Sequence, residues 1–428
     1  MQTVSARRAG SERPRTELFD NVTSPFCGLL CDDLKVERTG DSLKVLDNGC
    51  AKSIAGFERK LPPASPQVKG KDVAPEEAIA AAAALISKAK LPLYGGLGTD
   101  VEGMRAVLAL ADRSGGVVDH ALSEAQFRNF RVLQSVGWIT TTLTEARNRA
   151  DLFIVVGSLI DKVHPRFFDL IVSPPESMFE VPAAKRTVVF LGKGPALPKV
   201  RETVTLNCAA EDAGEVLGVL RARLRGFRVK PFKIGSVTLA DIDALAERCR
   251  AAKYGVVVWA PPLLDFPHAE LTVDQISGLI KDLNQTTRFA GLSLGGAEGS
   301  VTAGAVTTWQ TGFPMRVSFA SGAPRYDPYR YQISRMLTEG EGDLLVWIAS
   351  FSPEFSPPDT DLPVIVLGTP GLKLKDTPSV FIPIGTPGVD HAGRQVRVDN
   401  VVTLPLKDLG RSNLPSAAEI LAAIKAAL

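Results

Sequence analysis

The sequence predicts an α/β protein, with a small N-terminal β-rich domain followed by two Rossmann-like doubly wound domains. From about residue 71 onward, short apolar runs typical of buried strands alternate with segments typical of helices. The chain has 428 residues, which is too long for one ordinary hydrophobic core. Hydrophobic residues make up 45% and charged residues 22%, which is the usage of an ordinary globular protein.

The N-terminal part divides into a tail and a β-rich domain. Residues 1–20 mix arginine with acidic residues and contain no apolar run, so we expect a flexible tail rather than a secretory signal. Residues 21–70 alternate short apolar runs with turn residues such as Gly40-Asp41, a pattern that predicts a small β-rich domain.

Residues 71–235 are predicted to form the first Rossmann-like domain. A helix is expected at 75–90, because Pro75 suits a first helical turn and the acidic start and lysine end suit the helix dipole. The elements expected after it are strands at 91–94, 116–118 and 152–156 and a helix at 101–113.

Residues 236–428 are predicted to form the second Rossmann-like domain, with a β-rich end before a last helix. Its expected helices lie at 239–252, 271–283 and 417–428, and its expected strands at 256–260, 344–349 and 364–367.

Three of the buried strand segments end in polar or turn residues, at 154–158, 256–261 and 345–350. In open α/β sheets, ligands bind beyond the carboxyl ends of the strands, so a pocket is expected at these loops. No G-x-G-x-x-G or P-loop lysine motif follows any of them. The sequence GGLG at 95–98 is only a weak indication of a glycine-rich binding turn.

Charge and cysteine content exclude several classes of protein. The 49 basic and 47 acidic residues nearly balance, so the chain has no general electrostatic attraction to nucleic acid. The sequence contains no apolar run of about 18 residues or more, so no membrane span is predicted. Five cysteines in so long a chain argue against a disulfide framework, so a reducing cytoplasm is expected.

The cysteines near the N-terminus are the most informative motif. The stretch SPFCGLLCDD at 24–33, followed by NGC at 48–50, has the spacing of a four-iron cluster site, with Cys27, Cys31 and Cys50 at three positions and Ser24 at the fourth. A serine hydroxyl is harder to ionise than a thiol and is a poor ligand for soft metals, so the motif is degenerate. We expect buried thiols that pack as small apolar groups, and no bound metal.

These strings resemble the B subunit of formylmethanofuran dehydrogenase, which is a member of the molybdopterin oxidoreductase superfamily. The resemblance covers nearly the whole chain from Phe26 onward. Besides CGLLCDD and NGC, it is carried by residues 137–157 with NRAD, WQTGFP at 309–314, GAPRY at 322–326, and residues 393–400 with RVDN.

The resemblance implies a four-iron cluster and a tungsten- or molybdenum-bis-pterin that reduces carbon dioxide, with a cysteine or selenocysteine on the metal. That metal ligand should fall near residues 118–124, yet there is no cysteine between Cys50 and Cys208. Loss of this ligand together with a cluster ligand implies that the redox chemistry is gone.

The resemblance therefore narrows to the B subunit of the bacterial formyltransferase/hydrolase complex, which implies a non-redox structural and ligand-holding role. The complex transfers a formyl group from tetrahydromethanopterin to a furan-type carrier and releases formate. Its implied partners are a zinc-dependent hydrolase, a formyltransferase and a protein like the C subunit of this family. Two alternatives stay open: an active tungsten- or molybdenum-dependent dehydrogenase, and a separate hydrolase built on Ser123, His120 and Glu124.

The vacated pterin cleft is expected to hold the carrier, whose glutamate-rich tail is anionic. The candidate contacts are Lys162 and Arg166, which follow the strand at 152–156, and Arg325 in the GAPRY turn. An arginine guanidinium can bind a carboxylate with two parallel hydrogen bonds.

Overall fold

A computed structural model describes residues 16–179, 181–231 and 233–428. The α-helices are Ala51–Phe57, Pro75–Lys88, Val101–Ser114, Ser123–Val136, Leu143–Arg149, Ile160–Val163, Ala213–Leu224, Leu239–Ala251, Ala269–Leu283, Ser300–Thr311, Ile333–Thr338 and Ala417–Ala426. Shorter helical turns of other types are Phe168–Val172, Ala183–Lys185, Pro261–Leu263 and Ala297–Gly299. Within these described ranges, no helix is long and apolar enough to cross a membrane.

The helices begin and end where local chemistry favours it. Pro75 occupies the first turn of Pro75–Lys88, as the sequence predicts, and the helix ends at Lys88, two residues before the predicted end. The Asp100 side chain accepts a hydrogen bond from the Gly103 amide and caps Val101–Ser114. That helix ends at Gly115, whose φ of 69° is in the left-handed region.

A five-stranded sheet is entirely parallel. Its strand order is Glu202–Leu206, Thr187–Leu191, Leu152–Val156, Gly255–Trp259, Phe289–Ser293. Alternate residues of these strands enter two separate hydrophobic clusters, Phe153 and Val155 on one face and Ile154 and Val156 on the other. Both faces are therefore covered, which is the usual arrangement for parallel sheets.

A nine-stranded sheet has a parallel centre and antiparallel edges. Its order is Arg325–Tyr326, Val317–Ser318, Val117–Val118, Pro92–Gly98, Leu344–Ala349, Val364–Gly368, Val380–Pro383, Gln67–Val68, Lys71–Asp72. The five strands from Val117–Val118 to Val380–Pro383 are parallel. The mixed α/β class predicted from the sequence is thus present.

The predicted boundary between residues 235 and 236 does not separate the two sheets. Leu152–Val156 pairs with Gly255–Trp259, and Pro92–Gly98 pairs with Leu344–Ala349, so each sheet takes strands from both sides of that boundary. Apolar runs show where strands lie, but strand pairing depends on contacts between distant parts of the chain, which periodicity does not reveal.

The N-terminal unit also differs from its predicted limits. A three-stranded antiparallel sheet consists of Thr16–Val22, Leu34–Thr39 and Ser42–Asp47, so residues 16–20 of the predicted tail belong to a strand. Residues 1–15 of that tail lie outside the described part of the chain. Gln67–Val68, expected within the β-rich domain, instead extends the nine-stranded sheet.

Two hairpins complete the fold. Lys233–Ile234 pairs with Val237–Thr238, and Gly393–Val396 pairs with Thr403–Leu406. The second hairpin lies in the predicted β-rich end, before the helix Ala417–Ala426.

Candidate functional site

A cavity of about 330 Å³ lies beyond the carboxyl end of the strand Phe289–Ser293. We call it the central cavity. Its walls come from the helices Ser123–Val136 and Ser300–Thr311 and from Trp138, Pro261, Val398 and their neighbours. Its position is the one at which open α/β sheets bind ligands.

The three predicted loops contribute unequally to this site. Loop 256–261 supplies Pro261 to the central cavity, whereas residues 154–158 and 345–350 are absent from the wall as described. The loop that follows Phe289–Ser293 also lines the cavity, but it was not predicted from the sequence. The sequence LGGAEGS at 294–300, a glycine-rich turn between a strand and a helix, is the feature that could have indicated it.

The glycine-rich loop is held in an unusual backbone conformation. Gly296, Glu298 and Gly299 have φ angles of 87°, 50° and 67°. A Cβ atom on Gly28 would lie 2.1 Å from the Gly295 carbonyl oxygen, so the N-terminal unit packs directly on this loop. A side chain at residue 28 would therefore force one of these two backbone segments to move, which favours glycine at this position.

Two helix N-termini border the central cavity. Ala125 and Gln126 in the first turn of Ser123–Val136, and Ser300 and Val301 in the first turn of Ser300–Thr311, line its wall. Neither N-terminus has a side-chain cap among the described residues. Because the first backbone amides of a helix lack intrahelical acceptors and carry partial positive charge, this wall favours an anion or another hydrogen-bond acceptor.

The rest of the wall is mainly aromatic and apolar, and some of its polar groups are already engaged, whereas Gln126 Oε1 has no hydrogen-bond partner among the described residues. Asn129 donates to Ser293 Oγ at 2.8 Å and accepts from Trp259 Nε1 at 2.9 Å. The Asp399 carboxylate accepts from Arg397 Nη2 at 2.6 Å. Trp138, Trp309 and Phe130 supply ring surfaces, so a flat ring would fit here better than a strongly charged group.

The three predicted basic contacts lie on different elements, and none of them lines the central cavity as described. Lys162 is largely exposed and lies 3.6 Å from Asp161. Arg166 makes two hydrogen bonds to Asp33, at 2.5 and 2.7 Å. Arg325 is exposed on an edge strand of the nine-stranded sheet. The structure thus shows no common contact among the three, and their role in carrier binding stays a prediction.

The degenerate cluster positions lie together in the N-terminal unit. Ser24, Cys27 and Cys31 are buried, and Cys50 is half-buried. Burial, the main cause, raises the pKa of Cys27 and raises the pKa of Cys31 to about 12. Within the described residues, no group of three or more His, Cys, Asp or Glu side chains could hold a metal ion. A serine in the fourth position and hard-to-ionise thiols do not fit a four-iron cluster.

Replacing Cys27 with alanine is expected to lower the free energy of unfolding by about 1 to 3 kcal/mol, as for other small buried side chains. Replacing Cys50, which is half-buried, is expected to cost an amount at the low end of this range, and neither variant should abolish activity of an assembled complex. The anaerobically purified wild-type chain is expected to show no iron-sulfur absorbance. Denaturant titration and an activity assay of the complex check the cysteine variants, and a folded, assembled variant without activity would contradict that expectation. Visible spectroscopy checks the wild-type chain, and a charge-transfer band with matching iron and sulfide content would contradict the expected lack of a cluster.

The segment in which the resemblance places the metal ligand contains Asp119 and His120. Both are buried, and His120 Nδ1 accepts from the Leu122 amide while Nε2 donates to the Glu298 carbonyl at 2.9 Å. Burial lowers the pKa of His120 to about 4, so the ring is neutral near neutral pH. The donor set lacks the cysteine or selenocysteine that the resemblance implies on a tungsten or molybdenum centre, so the segment does not fit such a centre.

The same geometry disfavours a hydrolase built on Ser123. Its hydroxyl lies 3.2 and 3.3 Å from Arg316 guanidinium nitrogens, and both nitrogens of His120 are engaged elsewhere. A nucleophilic serine needs its base within hydrogen-bond reach, and His120 does not provide that contact here.

The fold and site define an α/β protein with a ligand-sized cavity between helix N-termini at the end of a parallel sheet. The chain is 30% identical, over 76% of its length and 86% of the relative's, to the B subunit of the formyltransferase/hydrolase complex Fhc of Methylorubrum extorquens. It is 28% identical, over 89% of its length and 91% of the relative's, to the B subunit of the tungsten-containing formylmethanofuran dehydrogenase 2 of Methanocaldococcus jannaschii. No protein-family model matches the chain.

A solved structure supports the same relationship. The crystal structure of the formyltransferase/hydrolase complex FhcABCD from Methylorubrum extorquens with methylofuran contains a chain that matches with a TM-score of 0.72 and 28% identity, covering 85% of this chain and 98% of that one. The chain belongs to the family formed by the B subunits of formylmethanofuran dehydrogenase and of the formyltransferase/hydrolase complex. The resemblance identified from the sequence motifs is thereby confirmed.

Proposed function

We propose that this chain is the non-redox, structural and ligand-holding subunit of a cytoplasmic formyltransferase/hydrolase complex. In this proposal the complex transfers a formyl group from tetrahydromethanopterin to a furan-type carrier and releases formate. The zinc-dependent hydrolase, the formyltransferase and a protein like the C subunit of this family are its partners. The support is the family relationship, together with a cluster motif and a metal-ligand segment that lack the residues redox chemistry needs.

The central cavity is the observation that carries the ligand-holding role. A furan-type carrier with a glutamate-rich tail presents a flat ring and several carboxylates. The aromatic surfaces of the cavity suit the ring, and the uncapped first turns of Ser123–Val136 and Ser300–Thr311 suit a carboxylate. A related complex has been solved with methylofuran bound, which favours a carrier of this type.

Gly304→Leu tests the cavity directly. A Cβ at Gly304 would make ordinary contacts, at 3.5 Å to the Pro314 carbonyl oxygen and 3.6 Å to Gln126 Oε1, so the helix admits a side chain. The remaining leucine atoms would enter the cavity and displace a ligand. We expect the carrier that co-purifies with the tagged complex to fall by about tenfold or more, measured by mass spectrometry.

Gly218→Leu is the matched control. Gly218 also lies within a helix, Ala213–Leu224, and its nearest neighbour beyond a Cβ is Gln275 Oε1 at 3.7 Å, outside the central cavity. This variant should retain the wild-type amount of carrier. If the Gly304→Leu complex assembles and also retains it, the central cavity is not the holding site.

A second variant tests the basic contacts. If Lys162, Arg166 and Arg325 hold the carrier tail, replacing all three with alanine should leave the complex assembled but reduce the retained carrier, more so at high salt because salt screens charge pairs. If the complex with this triple variant retains the wild-type amount of carrier, these residues are not the contacts that hold the carrier tail.

The alternative function is an active tungsten- or molybdenum-dependent formylmethanofuran dehydrogenase. Its support is the 28% identity to the tungsten-containing relative. Metal analysis of the purified complex distinguishes the two proposals. Tungsten, molybdenum or cluster iron in amounts stoichiometric with the chain would overturn the non-redox proposal.

A further inference from the structure

A second cavity, of about 210 Å³, lies on the nine-stranded sheet, apart from the central cavity. We call it the carboxyl cavity. It is lined by the backbone of Gly95 and Gly96 and by Asp119, Glu124, Trp347 and neighbouring residues. Neither the cysteine motif nor the proposed carrier site uses it.

Asp119 is a buried carboxylate in the wall of this cavity. Its side chain is 4% exposed, and its Oδ2 accepts a hydrogen bond from the Ile333 amide at 3.2 Å. The other oxygen, Oδ1, is buried and has no hydrogen-bond partner among the described residues. An unpaired buried carboxylate oxygen is costly, so the residue has unused capacity to accept a hydrogen bond from a ligand.

The wall of the cavity, as described, contains two carboxylates, Asp119 and Glu124, and no lysine or arginine. Their counter-charges lie outside that wall. Arg316 Nε lies 3.7 Å from Asp119 Oδ2, and Arg316 Nη2 lies 2.8 Å from Glu124. Arg131 lies 3.7 Å from Glu124. With His120 neutral, the charged groups that line the cavity are both acidic, which favours a small cation as ligand.

Trp347 adds a ring surface in a fixed orientation. Its Nε1 donates to the Phe355 carbonyl at 2.8 Å, and its ring lies so close to the central strand that a Cβ on Gly96 would come within 2.9 Å of it. An indole face attracts cations electrostatically. A carboxylate and an indole in one small cavity are the chemistry that recognises an organic ammonium group.

We propose that the carboxyl cavity binds a small organic ammonium ion, held by Asp119 and by the face of Trp347. The site does not depend on the carrier-holding role of the central cavity. An alkyl group on the nitrogen would occupy the space between Trp347 and Leu337, which also lines the cavity. The ligand class is therefore a primary or secondary amine with a short apolar substituent.

Titration of the full chain with ethylammonium, followed by ligand-observed NMR, tests the proposal. Ethanol is the neutral counterpart of similar size. Ethylammonium is expected to bind about tenfold more tightly than ethanol near neutral pH, and Asp119→Asn should remove that difference. The preference should also weaken below about pH 6, because burial raises the pKa of Asp119 to about 6 and protonation removes its charge. Arg316, Glu124 and His120 are the other titratable groups facing it.

A second variant covers the case in which Asp119→Asn fails to fold. Ala121 is exposed and lines the cavity, so Ala121→Phe should block entry while leaving the carboxylate in place. Ala55→Phe, at an exposed position outside the cavity, is its control. Loss of binding in Ala121→Phe but not in Ala55→Phe supports the site. Equal binding of ethylammonium and ethanol, or ethylammonium binding unchanged in Ala121→Phe, overturns it.

Discussion

Replacing Asp390 with alanine is expected to lower the free energy of unfolding by about 3 to 5 kcal/mol, the cost of leaving one partner of a buried ion pair unpaired. Asp390 and Arg411 have side chains that are 1% and 2% exposed, and Arg411 Nη2 lies 2.7 Å from Asp390 Oδ2. The same carboxylate accepts from Ser412 Oγ and from the Thr386 amide, both at 2.8 Å. The variant would therefore leave several donors and one guanidinium without an acceptor.

The effect should extend to a second cation, the half-buried Arg59. Burial, the main cause, and repulsion by Arg411 together lower the pKa of Arg59 to about 10, while Asp390 opposes the shift. Removing Asp390 thus leaves two neighbouring guanidinium groups without this counter-charge.

Denaturant titration of the variant measures the loss of stability. Asp390→Asn should be partly destabilised, because it keeps hydrogen-bonding atoms but loses the charge. Lys375→Ala, which removes an exposed lysine beside Asp359, is the control and should change stability little. A loss in Asp390→Ala no larger than that of the control would show that the buried pair contributes nothing.

Replacing Glu298 with glutamine is expected to stabilise the protein above neutral pH. Burial, the main cause, raises the pKa of Glu298 to about 7, although the Ser352 amide and the nearby Arg59 and Lys52 lower it. Its Oε2 has no hydrogen-bond partner among the described residues. Ionisation of this carboxyl is therefore unfavourable in the folded protein.

The sign follows from linkage. The pKa of this carboxyl is about 7 in the folded state and about 4.3 in the unfolded state. Its contribution to the free energy of unfolding is therefore fully present below about pH 4.3 and is lost as the pH rises through about 7. The free energy of unfolding of Glu298→Gln should therefore match that of the wild type near pH 4 and exceed it by about 3 kcal/mol above pH 7.

Parallel denaturant titrations of the two proteins across this pH range provide the measurement. Burial lowers the pKa of His120 to about 4 and that of His164 to about 3. Both histidines therefore make the protein less stable as the pH falls below about 6.5, which is opposite to the effect of Glu298. Their contribution is common to both proteins and cancels in the difference. A difference that does not change with pH would show that Glu298 ionises normally.

Local chemistry was enough to predict the main elements. Pro75 and the acidic residues after it marked a helix, and the apolar runs at 152–156 and 344–349 marked buried strands. These signals are readable because helix starts and buried strands depend on residues close together in the sequence. The family motifs could be recognised for the same reason, since each is a short contiguous string.

The arrangement of those elements required the tertiary structure. Arg166 was a candidate ligand contact from the sequence, but in the fold Asp33, 133 residues earlier, engages its guanidinium. The central cavity depends on Gly28 packing against Gly295, and on two helix starts that meet across it. Such contacts join residues far apart in the chain, and neither periodicity nor spacing along the sequence encodes which distant partners will meet.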